Sequence, residues 1–191
     1  EPHSCRHKGP CSRAEKSMSI ENLKAYLPDF AREVKLNLAL IQHDELLSAS
    51  QRAGIMLAAA LTTRNRNIIA AMVSESGENL SREAFDAVRA IVATQAMTNT
   101  YHRFLAAVPA DYADLPAKVH VPVKGYAGVP KRDSELWALA VSALNGCAAC
   151  MVAHEKAARE AGATQLVIQA AVRYAAIVQS AALALEAAAL D

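Results

Sequence analysis

The sequence predicts an all-α fold, and three observations carry that prediction. Apolar residues make up 53% of the 191 residues while aromatics make up only 5%, so the apolar fraction is dominated by alanine and leucine, both good helix formers. From Met18 onward apolar residues recur at helical spacing in one segment after another. The segments are punctuated by capping residues on one side and by glycine or proline on the other. A chain of this length and composition can bury a sizeable core in one domain.

Each element follows from its punctuation. Ser19 can cap a short first helix that ends near Pro28, and Asp29 to Ile41 carries apolar residues at helical spacing. Further helices run from about Ser50 to Thr63 and from about Arg66 to Ser76. Ser81 caps a helix that starts at Arg82 and reaches the high nineties, and Met97 to Val108 reads as a separate helix. Pro109 to Lys131 is a linker rich in proline and glycine, with VHVPVKGYAGVP as an extended arm. Asp133 or Ser134 caps the next helix, which stops at Asn145-Gly146 because glycine terminates helices. A new helix begins at the cysteines and ends near Gly162, and Thr164 caps the last one. That last segment, about Leu166 to Leu190, is the longest apolar run. Arg173, Gln179 and Glu186 interrupt it, which a bilayer centre would penalise. It reads as a helix packed on other helices, apolar around almost its whole circumference, which points to burial beyond one subunit.

Residues 1–17 are polar and aperiodic and read as a disordered leader or appended extension, leaving residues 18–191 as the folded domain. His3, Cys5, His7 and Cys11 are metal-binding residue types, but nothing nearby fixes their geometry, so they read as incidental. A net charge of +1 gives no reason to expect nucleic acid or an anionic membrane as partner. No apolar region near the start resembles a signal peptide, so the expected location is the cytoplasm. Thiols there stay mostly reduced, and a close cysteine pair then points to redox or metal chemistry before a structural staple.

Sliding the chain on itself brings out a second pattern. Glu135 precedes Cys147 by twelve residues, Cys150 by fifteen and His154 by nineteen; Glu83 precedes Gln95, Thr98 and His102 by the same intervals. Both segments also carry an aromatic two residues after the glutamate, Phe85 and Trp137. The expectation is two related helical repeats, about 50–108 and 131–191, with Glu83–Phe104 superposing on Glu135–Lys156 and chemistry kept only in the second. The alternative is two unrelated amphipathic helix pairs.

The chemistry sits in ELWALAVSALNGCAACMVAHEKAARE. Gly146 breaks the chain, so Cys147 lies at the start of the following helix, with Cys150 one turn on and His154 one further turn. Residues three and four apart share a helix face, so the three form one stripe. A helix N-terminus presents free N–H groups and positive partial charge, which stabilise a thiolate. A tight Asn-Gly turn can fold the preceding helix back and bring Glu135 beside the stripe, where Glu135 and His154 form a proton relay for Cys150. A thiolate so activated can attack a hydroperoxide O–O bond, become a sulfenic acid and condense with the other cysteine to a disulfide. A bare C-x-x-C also fits a metal site or incidental buried thiols, and Cys147, Cys150, His154 and Glu135 would make four zinc ligands. All three cysteine and histidine candidates lie on one continuous helix, which argues against zinc. Glu155 and Glu160 read as solvated partners of Lys156 and Arg159, and Trp137 as core. His43, His102 and His120 read as structural, His102 as a relic of the silent repeat, and Tyr174 as core or interface.

The opening MSIENLKAYLPDFAREVKLNL, the RNxxI segment at Arg64 to Ile68, and the PKxxxELW and SALNGCxxCxxAHE blocks from Pro130 to Glu155 together resemble the AhpD-type alkyl hydroperoxidases. These belong to the carboxymuconolactone decarboxylase-like helical superfamily, and the resemblance covers Met18 to Asp191. It implies an AhpD-like helical fold, a homotrimer and reduction of organic hydroperoxides through a redox disulfide. By resemblance Cys150 attacks the peroxide, Cys147 resolves it and receives electrons, and Glu135 and His154 are the relay. It implies no tightly bound cofactor and no metal. Electrons come from the lipoyl group of a lipoylated 2-oxoacid dehydrogenase component, kept reduced by dihydrolipoamide dehydrogenase. A partner peroxiredoxin, alkyl hydroperoxide reductase C, is a further implied partner. Some members carry a histidine where this chain has Ala149, so the relay here is expected to run through Glu135 and His154 alone. Helix dipole and exposure favour Cys147 as the more acidic thiol; both assignments hold if Cys147 exchanges with outside dithiols while the relay activates Cys150. The rival readings are a cofactor-free carboxymuconolactone decarboxylase-like enzyme, which needs no C-x-x-C, and a non-catalytic redox or zinc module.

Overall fold

Side-chain caps set most of the helix starts. In the computed structural model, which describes residues 19–121 and 125–190, the Ser19 hydroxyl accepts from the Asn22 amide at the head of α1 (Ile20–Tyr26). A 3₁₀ turn then leads into α2 (Arg32–His43). Ser48 and Gln51 form a reciprocal capping box on α3 (Ala49–Thr63), which satisfies two of the free donors that any helix start leaves. Asn65 caps α4 (Arg66–Ser76) and Ser81 caps α5 (Arg82–Ala107). After the linker come α6 (Lys131–Leu144), α7 (Ala148–Glu160) and α8 (Gln165–Ala188), the last capped by Thr164. The described residues hold helices and 3₁₀ turns and no strand, so the all-α expectation is met. Residues 1–18 and 122–124, which include most of the expected leader and part of the extended arm, lie outside the described residues.

Two expectations need correcting. Arg82 to Ala107 is one continuous helix, with no break at Met97. Within this stretch Thr98 and Thr100 turn their hydroxyls back onto the helix carbonyls of Thr94 and Ala96. Glu83–Phe104 is therefore a single rod while Glu135–Lys156 is a helix–turn–helix, and the residue pairing drawn between them does not hold. The second correction concerns α6, which starts behind Pro130 with no side-chain cap. The Asp133 carboxylate is engaged elsewhere: it accepts from Gln51 Nε2 at 2.7 Å and pairs with Arg132 at 3.2 Å.

A different internal correspondence is visible in the element order. Helices of 15, 11 and 26 residues (α3, α4, α5) are followed by helices of 14, 13 and 24 (α6, α7, α8). The turn between the first two members of each series contains a left-handed residue, Arg64 (φ 63°) or Gly146 (φ 67°). The next residue, Asn65 or Cys147, caps the second helix. Gln51 and Asp133, which bond to each other, are the third residues of α3 and α6. In this register Glu135 falls opposite Ala53 and Cys147 opposite Asn65, so only the second series carries titrating groups of the expected kind.

The core is centred on α3 and α6, which pack on each other and on α8 and α5. Ala58, Ala59 and Ala60 are fully buried, as are Leu136, Trp137, Ala140 and Val141. Small side chains let the backbones approach closely, and the Trp137 ring, core as expected, lies against the bare Cα of Gly54. By length and composition α8 is apolar enough to cross a membrane. Its stripe from Ile168 to Ala184 is buried against α2, α3 and α6, while Leu166 and Leu183 are exposed. Tyr174 is part of that buried stripe; burial and the Asp44 carboxylate push its phenol up to about 12.

A methyl at Gly54 would overlap the buried Trp137 ring. Gly54→Ala is therefore expected to lose about 1–3 kcal/mol of stability in urea denaturation, overpacking outweighing the gain in helix propensity.

Candidate active site

The turn between α6 and α7 is built from backbone bonds. The Gly146 amide donates to the Ala143 carbonyl at 3.1 Å, and the Cys147 amide donates to the Ser142 carbonyl at 3.0 Å. With Gly146 in the left-handed region, these two bonds make a Schellman terminator for α6. Cys147 is thus the last residue tied to α6 and also the cap of α7, where its Sγ accepts from the Cys150 amide at 3.3 Å. Cys147 and Cys150 are joined as a disulfide across the first turn, with their Cα atoms 5.3 Å apart. Both sulfurs lie at the positive end of α7, an environment that stabilises a thiolate when the pair is reduced.

The same reversal folds α6 against α7. Glu135, near the start of α6, meets His154 on the second turn of α7, and Oε2 lies 2.7 Å from Nδ1. Both side chains are about one-fifth exposed. With the carboxylate ionised, Nδ1–H donates, which leaves Nε2 as the ring's second proton site.

Glu135, His154 and Cys150 line one cleft of about 660 Å³, together with Ala149 and Ala153. Cys150 is 7% exposed and Cys147 only 1%. In the disulfide state the sulfur on the cleft is therefore that of Cys150. Cys147, whose exposure was expected to favour exchange with outside dithiols, is the less exposed of the two.

The opposite wall comes from α5 and the loop before α6. Ile91, Gln95, Thr98 and His102 face the cleft at helical spacing, and Tyr126 joins them from the loop. His102 and its neighbours are thus part of the same site rather than relics of a second one. A polar stripe, Gln95, Thr98 and His102, at spacings of three and four residues was the signal available for them. Burial and the nearby Glu135 charge raise the Tyr126 phenol, with the Thr94 hydroxyl acting the other way. Glu83 is not among the cleft-lining residues and packs beside Gly128. Glu155 and Glu160 pair with Arg159 and Lys156 on the exposed side of α7, as read from the sequence. His120 is exposed, and the side chain of His43 and the residues His3, Cys5, His7 and Cys11 lie outside what is described. Among the described residues, no cluster of three or more histidine, cysteine or acidic groups is disposed to hold a metal.

A chain whose described residues form only helices and 3₁₀ turns, with a redox-capable C-x-x-C at a helix start and a Glu–His pair beside it, defines a class. Residues 110–190 match the Carboxymuconolactone decarboxylase family. Along nearly its whole length the chain is similar to proteins named alkyl hydroperoxide reductase AhpD. That of Methylocella silvestris is 53% identical, covering 91% of this chain and 98% of that one. That of Beijerinckia indica subsp. indica is 49% identical, covering 91% and 97%, and one from a Bradyrhizobium species is 46% identical over 91% and 96%. The chain belongs to the AhpD family of the carboxymuconolactone decarboxylase-like proteins.

A Cβ at Gly146 would meet no atom within 4 Å, so the cost of a side chain there is purely that of the left-handed backbone. Gly146→Ala should lower stability by about 1–2 kcal/mol, and Gly146→Asn by less. Chemical denaturation of both variants checks this.

Proposed function

We propose that the chain is a thiol peroxidase that reduces organic hydroperoxides through a Cys147–Cys150 disulfide cycle. The observation that carries this reading is the joining of Cys147 and Cys150 across one helical turn, with Cys150 in the same cleft as a Glu135–His154 pair at 2.7 Å. The names of the relatives support the same chemistry.

The steps follow from that placement. His154, oriented by Glu135, takes the Cys150 proton, and the helix start stabilises the thiolate. The thiolate attacks one peroxide oxygen, the O–O bond breaks and the alkoxide leaves, taking a proton to become the alcohol. Cys150 is then a sulfenic acid. Cys147 attacks its sulfur, the S–O bond breaks, water leaves and the disulfide forms. A dithiol returns two electrons and two protons through a mixed disulfide. In this reading the dithiol is the lipoyl group of a 2-oxoacid dehydrogenase component, whose long arm can enter a narrow cleft. The peroxiredoxin alkyl hydroperoxide reductase C is a further acceptor, and the setting is the cytoplasm. No tightly bound cofactor takes part.

The resemblance directs the incoming thiolate to Cys147, whereas the exposures favour Cys150 as the sulfur first reached. Trapping distinguishes them. A bulky disulfide reagent should label Cys150 in reduced Cys147→Ser faster than Cys147 in reduced Cys150→Ser. The exposed Leu166 and Leu183 on α8 support burial against further copies, in keeping with a homotrimer. Light scattering at micromolar concentration should give three times the chain mass.

Removing either relay group should reduce peroxide turnover by about two to four orders of magnitude, the usual worth of a positioned base. Peroxide consumption with dihydrolipoamide should fall accordingly in Glu135→Gln and His154→Ala and vanish in Cys150→Ser. Glu83→Gln should stay near wild type. Equal losses in Glu135→Gln and Glu83→Gln would remove Glu135 from the site. Oxidised protein should also be reduced faster by dihydrolipoamide than by glutathione at equal thiol; equal rates would count against a lipoyl donor.

A further inference from the structure

The α6–α7 turn is gripped from outside by a side chain that the chemistry above does not use. Asn99 sits on α5 and is 1% exposed. Its amide nitrogen donates to Gln95 Oε1 at 2.9 Å and to Ser142 Oγ at 3.1 Å. Its carbonyl oxygen accepts from Asn145 Nδ2 at 2.9 Å. Both amide hydrogens and the oxygen of this buried group are therefore engaged. Ser142 is fully buried, and its hydroxyl donates onward to Gln95 Oε1 at 3.4 Å, where Thr98 Oγ1 also donates at 3.2 Å.

The two residues that Asn99 holds on α6 are the ones that define the turn. Ser142 supplies the carbonyl that receives the Cys147 amide, and Asn145 is the residue before the left-handed Gly146. One side chain thus holds Ser142 and Asn145, the two residues through which α6 runs into the turn that delivers Cys147. A polar cluster inside an alanine-rich interface adds little net stability over apolar packing, but when fully satisfied it fixes one geometry.

We propose that Asn99 is a positioning residue for the disulfide cycle: it holds the α6–α7 turn so that the Cys147 sulfur stays within bonding reach of Cys150. The proposal rests on the redox reading of the pair. The step it governs is closure, in which Cys147 attacks the sulfenic sulfur of Cys150, the S–S bond forms, the S–O bond breaks and hydroxide leaves as water. Holding the two sulfurs in register raises their effective concentration toward each other. That favours the disulfide over the dithiol and closure over side reactions of the sulfenic acid. Attack on peroxide depends on Cys150, Glu135 and His154 and is not governed by Asn99.

The test uses the full chain. Wild type, Asn99→Leu, Asn145→Ala and the exposed control Thr100→Ala are equilibrated in dithiothreitol redox buffers, and the disulfide fraction is measured. In parallel, one equivalent of cumene hydroperoxide is added to reduced protein with dimedone present, and the sulfenic adduct is counted by mass. Asn99→Leu should shift the equilibrium about fivefold to tenfold toward the dithiol. Its dimedone adduct should rise while the first-turnover peroxide rate stays within about twofold of wild type. Asn145→Ala, which breaks one of the three bonds, should shift both readouts the same way by less, and it decides the matter if Asn99→Leu does not fold. Thr100→Ala should match wild type. Folded variants with wild-type equilibrium and adduct yield would overturn the role of Asn99 while leaving the peroxidase reading intact. A wild-type chain that forms no disulfide on adding peroxide would overturn both.

Discussion

The constraint on which the site depends is the reversal at residues 142–147. A helix that ends on a left-handed glycine must hand its last carbonyls to the next two amides, and the chain then leaves at a fixed angle. Here the residue that completes the terminator, Cys147, is also the cap of the next helix. No loop intervenes to absorb error. The position of the Cys147 sulfur is therefore set by α6, while Cys150 and His154 are carried on α7, which packs along α6.

That turn needs a rigid support, and the alanine-rich centre supplies it. Alanine has no side-chain rotamers to freeze, so helices lined with it can close on each other at low entropic cost. α3 and α6 use this along Ala58–Ala60 and Ala138–Val141, and Gly54 extends it to the Trp137 ring. The buried Gln51–Asp133 bond fixes the register between the two helices. Helix α5 then lies along α6 and contributes both the far wall of the cleft and the clamp on the turn.

Much of this was legible in the sequence because caps and terminators act locally. Ser19, Ser81, Thr164 and Gly146 each announce an end through their own side chain or its absence, and each stands where read. The Glu135–His154 contact was legible for the same reason, since a short turn leaves two antiparallel helices few ways to meet. What could not be read depends on partners distant in the chain. Asp133 resembles a cap until Gln51, 82 residues away, claims its carboxylate. The polar run from Gln95 to Thr100 resembles a helix end until α6 supplies Ser142 and Asn145 as bonding partners for Asn99. His102 matches His154 in spacing from a glutamate, yet the two line one shared cleft. The burial of Cys147 has no local signature.

The sulfur cap on α7 ties electron count to helix integrity. As half of a disulfide, Cys147 offers the Cys150 amide a neutral sulfur at 3.3 Å. As a thiolate it would offer a full negative charge, and charge-assisted bonds are shorter and roughly twice as strong. Reduction would therefore exchange a covalent tie across the first turn of α7, the S–S bond, for a stronger hydrogen bond to the same sulfur. The start of α7 is thus held in both states, by a bond between the sulfurs in one and by the charge on a sulfur in the other.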